Sequence, residues 1–456
     1  MLRTNNNEYR DPFENLFDAD VFKLSQELEE VDVLLNDPNI IRPFVEKFGV
    51  KRGRPTVPVS SYLRFMYLKG RYQLGYESLV EELATNIKWR RFCQIPLDQP
   101  IPHSTTFIRL TQKYGPEMID AVNRQLLEQL KNKKILKGKK LRMDTTVVES
   151  NIHYPTDAGL LSDSVRKITK IVKEIKEQGH AAKIKFRDRT RTVKKTILRL
   201  VKNLRDKTKS KQENFKEQTR ALMKITYHVV GQAKDVAQNI AGAAKKDFSD
   251  GTKALHDDLQ KVIGIADRVQ EQTEKVLINN GQSIPSRIVS IFDTTARPIK
   301  KGKLGVKAEF GYKVIVQDTE QAIITGYQVL EENPVDSTLV AASIEKHTDV
   351  FDKPPAEIAT DRGFSSADNE DKLSQAGIKR ISMPKKGKVD KERKQHQKQH
   401  WFKRLQRFRA GCEAKISLLK RKFGLRRSRL RGFRGTQIHV GWAILTHNLW
   451  QTARLT

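Results

Sequence analysis

Glu413 is the one acid in the run Arg407-Phe-Arg409-Ala-Gly-Cys-Glu413-Ala-Lys-Ile-Ser-Leu-Leu-Lys420, which is otherwise basic and apolar at helical spacing. Residues four and seven apart share a helical face, so Arg409, Glu413 and Lys420 form one stripe. An acid held on such a face suits a metal ligand working beside phosphates. Two upstream acids have strand-like surroundings: Asp144 in Leu141-Arg-Met-Asp144-Thr-Thr-Val-Val148, and Asp361 in Glu357-Ile-Ala-Thr-Asp361-Arg-Gly-Phe364. Two Asp and one Glu, far apart in sequence, make the ligand set of a two-metal phosphoryl-transfer site. Mg²⁺ suits it, because Mg²⁺ takes a few carboxylate oxygens plus substrate phosphate. Each acid also has a plainer reading. Asp144 could end a strand, Asp361 could be a turn residue in Asp-Arg-Gly, and Glu413 could pair with Arg409 at i,i+4. Asp293 is a rival strand acid, and Glu149 and Asp157 lie near Asp144 in the chain.

Elements of two kinds must position these acids. Thr145, Thr146, Val147 and Val148 are β-branched and predict a strand that carries Asp144. Ala356-Glu-Ile-Ala-Thr360 predicts a second strand ending at Asp361. There Gly363 would let the chain turn and open space at the strand's edge. Ile288–Asp293 and Ile378–Met383 read as further strands, and Phe310–Val316 with Ala322–Val329 as a hairpin. Leu339–His347 and Trp442–Trp450 read as helices. Residues 1 to about 135 are mostly helical in pattern: Leu28, Val31, Leu34 and Leu35 recur at helical spacing, as do Tyr62, Phe65, Met66 and the stem of Lys69. Pro102-His-Ser104-Thr105-Thr106 reads as a helix start capped by Ser or Thr.

No proline occurs between Pro155 and Pro285, although the chain has 16. In that stretch Leu161, Val165, Ile168, Val172 and Ile175 keep helical period. So do Ile197, Val201 and Leu204, and then Leu255, Leu259, Val262 and Val269. These stripes predict the core of an antiparallel bundle or arm, with Gly231, Gly242, Gly251 and Gly281 as candidate breaks. The expected organisation is a helical domain over 1–135, an α/β catalytic domain over 136–156 plus 285–456, and a helical insertion over 157–284.

Composition narrows the partner. The 456 residues carry a formal net charge of +32 with a pI near 10.0. Such charge favours a polyanion, most often nucleic acid. From Lys385 to Arg434 there are twenty Lys and Arg against three acids, whereas the first fifty residues are acid-rich, an asymmetry that marks a contact surface. Cys93 and Cys412 fit neither a disulfide scaffold nor a zinc pattern. No apolar run reaches the roughly 18 residues of a membrane span, and no signal-peptide core is present. The expected setting is cytoplasmic. There is no Walker loop and no Rossmann glycine pattern after a strand.

In three blocks the chain resembles the DDE transposases of bacterial insertion sequences. Met143-Asp144-Thr-Thr-Val-Val-Glu-Ser-Asn-Ile-His-Tyr-Pro155 is similar to that family's first-Asp strand, and Thr360-Asp361-Arg-Gly-Phe364 to its second. Arg407-Phe-Arg409-Ala-Gly-Cys-Glu413 with Lys420-Arg-Lys-Phe-Gly-Leu-Arg426 resembles its third-acid helix. Lys301-Gly-Lys303 with Glu309-Phe-Gly-Tyr-Lys313, His447-Asn-Leu449, Arg52-Gly-Arg54-Pro55 and Ser104-Thr-Thr106 resemble other parts of such enzymes.

The resemblance implies an RNase H-like mixed-sheet catalytic domain interrupted by the helical insertion, and an N-terminal helical DNA-binding domain. It implies Asp144, Asp361 and Glu413 as catalytic metal ligands for Mg²⁺, with Mn²⁺ as a substitute. Arg409, Lys420, Arg421, Lys422, Arg426, Arg52 and Arg54 would contact DNA. Hydrolysis at the element end would free a 3′-hydroxyl, which would attack target DNA. The implied partners are double-stranded DNA, at transposon ends and target, and further copies of the chain in a dimer or larger synaptic complex at the nucleoid. A related nuclease or recombinase that cuts without joining is a second reading. A non-catalytic DNA-binding scaffold is a third.

Overall fold

The computed structural model describes residues 1–4, 16, 18–49, 55–204, 209–243, 250–278, 284, 286–300 and 308–455. Arg52, Arg54, Gly281 and Lys301-Gly-Lys303 lie outside them. The chain forms two compact units: Met1–Asn151 with Gly311–Thr456, and Ile152–Phe310.

The first unit begins with seven helices: α1 (Ala19–Phe22), α2 (Gln26–Leu35), α3 (Pro38–Lys47), α4 (Val59–Arg71), α5 (Tyr76–Thr85), α6 (Ile87–Phe92) and α7 (Ser104–Asn132). The apolar stripe of α2 is buried, as its spacing predicts, and α4 buries Val59 through Leu68 without interruption. That burial includes a cation. Arg64 is fully enclosed, its Nε donating to Asp32 Oδ1 at 2.7 Å and its Nη1 to the Ser60 carbonyl at 3.1 Å. The start of α7 is capped by His103 rather than by Ser or Thr: the His103 ring accepts from the Thr105 N–H. Within α7 the chain kinks at Gly115, whose φ of 71° precedes Pro116. A positive φ is cheap only for glycine, and the following proline has no N–H to leave unpaired.

The α/β part of this unit follows. Its elements are β1 (Lys140–Glu149), then, counting β2 of the second unit, β3 (Glu309–Asp318), β4 (Ile324–Leu330), α12 (Val340–Phe351), β5 (Glu357–Ala359), α13 (Ala367–Gln375), β6 (Arg380–Ser382), α14 (Lys391–Lys398), α15 (His400–Lys422) and α16 (Gly432–Thr452). The sheet runs β4–β3–β1–β5–β6. β1 is antiparallel to β3, β3 to β4, while β1, β5 and β6 are parallel. The result is a mixed α/β unit. Leu141, Met143, Ile315, Ile358, Phe364, Leu373 and Met383 form one buried cluster around the sheet. Gly311 is obligatory in β3: a Cβ there would lie 2.0 Å from the Val148 carbonyl oxygen. Asn448 on α16 closes the far side of the sheet. It accepts from the Ile324 N–H at 3.0 Å and donates to the Ile324 carbonyl at 2.8 Å, so the first residue of β4 has both backbone groups satisfied. The lysine-rich segment before α15 contains a helix that its composition does not suggest, α14, capped by Asp390.

The second unit holds α8 (Asp157–Glu177), α9 (Thr190–Leu204), α10 (Lys209–Ala243), α11 (Asp250–Ile278) and the short β2 (Arg297–Ile299). Leu161, Val165, Ile168, Val172, Ile175, Leu259, Val262 and Val269 lie in one core, as their spacing predicts. Three expectations need correction. Val201 is 47% exposed, because α9 turns Val193 and Leu200 inward and leaves Val201 about 100° around the helix. Gly231 and Gly251 lie inside α10 and α11 rather than at breaks. Ile288–Asp293 is buried but forms no strand; Ile288 pairs its N–H and carbonyl with the side chain of Gln272, at 3.0 and 3.1 Å, instead of with a ladder partner. Among the described residues no helix is long and apolar enough to cross a membrane.

Candidate active site

The parallel pairing of β1 with β5 sets the positions of the first two acids. Lys140, Leu141 and Arg142 face Glu357, Ile358 and Ala359 in register, and that register carried two residues on brings Asp144 level with Asp361. Adjacent strands lie about 4.8 Å apart, so the two Asp residues leave the sheet side by side. β5 stops here because Asp361 caps a 3₁₀ turn over Arg362–Phe364, its Oδ1 accepting from the Gly363 N–H at 2.6 Å. Gly363 serves this turn by its size. A Cβ there would lie 2.8 Å from Asp361 Oδ1 and 2.9 Å from Asp336 Oδ2.

Asp144 is mostly buried, and its Oδ1 accepts from the Thr145 N–H at 2.7 Å. Burial pushes its carboxyl up to about 6. The negative charges of Asp361 and Glu413 add to that rise, while the Thr145 N–H and Arg409 oppose it. All three acids therefore share one electrostatic neighbourhood. Glu413 reaches it from α15, but its side chain is 61% exposed and bound to Arg409, Nη2 to Oε1 at 2.7 Å. The Arg409 guanidinium also stands 3.9 Å from Asp144 Oδ2, so it bridges the strand acid and the helix acid. Among the described residues no three His, Cys, Asp or Glu side chains are close enough as they stand to hold one ion. The donor set still suits a hard divalent cation. It consists of carboxylate oxygens whose mutual repulsion a cation would relieve, and the Glu413 carboxylate is free to rotate away from Arg409.

α15 is fixed over the sheet by polar ties. Arg142 on β1 donates from Nη1 to the Phe408 carbonyl at 2.6 Å and lies 4.5 Å from the centre of the Phe408 ring. Its Nε and Nη2 hold Asp318 of β3 in a two-pronged pair at 2.8 and 2.6 Å, with Asp318 wholly buried. Gly411 makes room for this, since a Cβ there would lie 2.1 Å from Arg142 Nη1. Gln406 donates to the Thr360 carbonyl at 3.2 Å and the Ser382 carbonyl at 2.9 Å, pinning α15 to the ends of β5 and β6 beside Asp361. Farther along, Lys415 donates to His447 Nε2 at 2.9 Å; burial pushes the His447 ring down to about 3, so it stays neutral and accepts. Burial and the nearby Asp318 and Asp144 charges keep the Cys412 thiol protonated.

The sequence-derived residues separate as follows. Asp144, Asp361, Glu413 and Arg409 share one neighbourhood. Lys420, Arg421 and Arg426 line a cleft at the C-terminal end of α15, and Lys422 is exposed at the end of that helix. Arg52 and Arg54 lie outside the described residues. Of the rival acids, Glu149 is tied by its backbone to Arg426 and Ser428, Asp157 pairs with Arg287 at 2.8 Å, and Asp293 is buried in the second unit. Sequence reasoning missed Asp336. It stands beside the Asp361 turn, accepts from the Thr145 hydroxyl at 3.1 Å and pairs with Lys313 at 2.7 Å. Its spacing from the other acids carries no signal; only the hairpin that delivers Lys313 could have pointed to it.

Two family models match the chain. Residues 17–113 match one described as a transposase domain (DUF772), and residues 284–449 match one described as a transposase DDE domain. The second stretch contains Asp361 and Glu413, and Asp144 precedes it. No curated protein and no solved structure matches the chain.

Proposed function

We propose, for a chain that belongs to the DDE-type transposases of insertion sequences, that Asp144, Asp361 and Glu413 carry its phosphoryl-transfer chemistry on DNA. The observation that carries this reading is the in-register placement of Asp144 and Asp361 at the ends of adjacent parallel strands, with Glu413 linked to Asp144 through Arg409. Enzymes of this family generally use divalent metal ions, and Mg²⁺ is the ion we assign here. When bound, such ions neutralise charge at the attacking and leaving oxygens of an in-line displacement. The rigid strand ends would hold the Asp144 and Asp361 carboxylates still for that work. Glu413 would complete the set by rotating off Arg409, and the released guanidinium would then bind the DNA phosphate beside it. Asp336, neutralised by Lys313, would support Thr145 and the Asp361 turn.

The same reading assigns an RNase H-like character to the mixed sheet, whose order and strand directions fit it. It assigns recognition of terminal inverted repeats to the N-terminal helices, and hydrolysis followed by joining of a 3′-hydroxyl to the site. The net charge of +32 supports a DNA partner. The test is Asp361→Asn. It is expected to abolish metal-dependent strand cleavage while leaving affinity for DNA ends within about twofold. Equal loss of cleavage and binding would contradict a catalytic assignment.

A further inference from the structure

Away from the acids, the first unit contains a cleft of about 760 Å³. Its rim is cationic: Lys69 from α4, Lys420 and Arg421 from α15, and Arg426, Arg427 and Arg429 from the loop that follows. Its floor is apolar, with Met66, Phe423 and Trp442. No Asp or Glu is among the described residues that line it. The walls are held in place. Gln73 donates to the Arg421 carbonyl at 2.7 Å, His439 bonds the Gly424 carbonyl at 3.0 Å, and Asn151 contacts the Arg429 carbonyl at 3.4 Å. The loop is also stitched to the end of β1, where Glu149 accepts from the Ser428 N–H at 2.8 Å and donates to the Arg426 carbonyl at 3.0 Å. Lys69 is largely buried within this ring of cations, and burial together with Arg429 pushes its ammonium down to about 8. A concentration of positive charge that lowers its own member's pKa is a standing attraction for an anion.

The size and lining narrow the occupant. A duplex, about 20 Å across, does not enter a cleft of this volume, whereas one strand does. An apolar floor beneath a cationic rim suits a base resting on the floor with its phosphates on the rim. The distance to the acids fits as well. Glu413 and Lys420 are seven residues apart on one helix, about 10 Å, which is about three nucleotide steps along a strand. We infer that this cleft receives an unpaired nucleotide of the DNA strand about three positions from the bond cut at the acids. The inference rests on the transposase reading above and adds a single-stranded site to it.

The experiment uses the full chain and fluorescence anisotropy without divalent metal. Three probes are compared: a blunt duplex, the same duplex with a three-nucleotide single-stranded extension, and that extension made abasic. The wild type is expected to prefer the extended duplex about tenfold over the blunt one, and the abasic extension to lose most of that preference. Arg426→Gln with Arg429→Gln changes two exposed side chains and is expected to remove the preference without altering the fold, checked by circular dichroism. Inorganic phosphate is added as a competitor. Equal wild-type affinity for blunt and extended probes would overturn the inference, as would a preference retained by the double variant. Displacement by low-millimolar phosphate as complete as by oligonucleotide would overturn it in favour of a plain anion site. Cleavage is assayed separately. Metal-dependent cleavage without any extension preference sinks the cleft alone, whereas preference without cleavage sinks the catalytic reading and leaves the cleft standing.

Discussion

The pair Arg142–Asp318 holds α15 against the sheet, and its removal should be costly. Asp318 is wholly buried and Arg142 is 9% exposed, with two hydrogen bonds between them at 2.6 and 2.8 Å. Arg142→Met leaves a buried carboxylate without its partner, a loss of about 3–5 kcal/mol. The bond to the Phe408 carbonyl goes too, worth about 1 kcal/mol. At about 2 °C per kcal/mol for a unit of this size, the thermal midpoint should fall by about 8–12 °C. Replacing both partners, Arg142→Met with Asp318→Leu, removes the stranded charge. Lys415 loses the attraction of Asp318 but keeps its bond to His447, so the double variant should recover at least half of the loss. The assay is thermal and urea unfolding of the wild type, both single variants and the double. A loss below about 1 kcal/mol for Arg142→Met would refute the reasoning, as would a double variant no more stable than that single one.

Three further outcomes follow from the geometry. A divalent cation seated among the acids should stabilise the fold, by about 2.7 kcal/mol at a hundredfold excess over its dissociation constant; Mg²⁺ or Mn²⁺ should therefore raise the midpoint of the wild type and not that of Asp144→Asn, and equal shifts in both would contradict the ligand assignment. The Lys69 ammonium is pushed down to about 8, so between pH 8 and its unfolded value near 10.5 the unfolded chain holds more protons and stability rises with pH. Lys69→Met should accordingly be more stable than the wild type below pH 8, with the difference closing toward pH 10.5; a constant difference in urea titrations across that window would count against it. Gly311→Ala should give insoluble or unfolded protein, because the added Cβ meets the Val148 carbonyl oxygen at 2.0 Å, and a soluble variant with a wild-type melting curve would show that β3 can move away from β1.

Local period was enough to read most elements. The β-branched run after Asp144 forms β1, the hairpin forms β3 and β4, and the stripes of α2, α8 and α11 are buried where their spacing puts them. What failed depended on partners distant in sequence. Ile288–Asp293 has strand composition, yet the Gln272 side chain takes the hydrogen bonds a ladder would have made. Val201 follows a helical period with Ile197 and still faces outward, because the neighbouring helices select Val193 and Leu200. The acids themselves were visible from residue type and context, but their relation was not. It depends on the β1–β5 register, the Arg142 tie and the Arg409 bridge, which join residues up to 269 positions apart in the chain. Asp336 escaped for the same reason: its partners Thr145 and Lys313 come from two other strands.

The most direct test of the central claim is cleavage and strand transfer on a labelled duplex bearing the element's own terminal repeat, with Mg²⁺ or Mn²⁺, in wild type and Glu413→Gln. The account predicts metal-dependent nicking and a joined product in the wild type, with both reduced at least a hundredfold in the variant. Activity retained in Glu413→Gln, or DNA binding by the wild type with no metal-dependent chemistry, would contradict it.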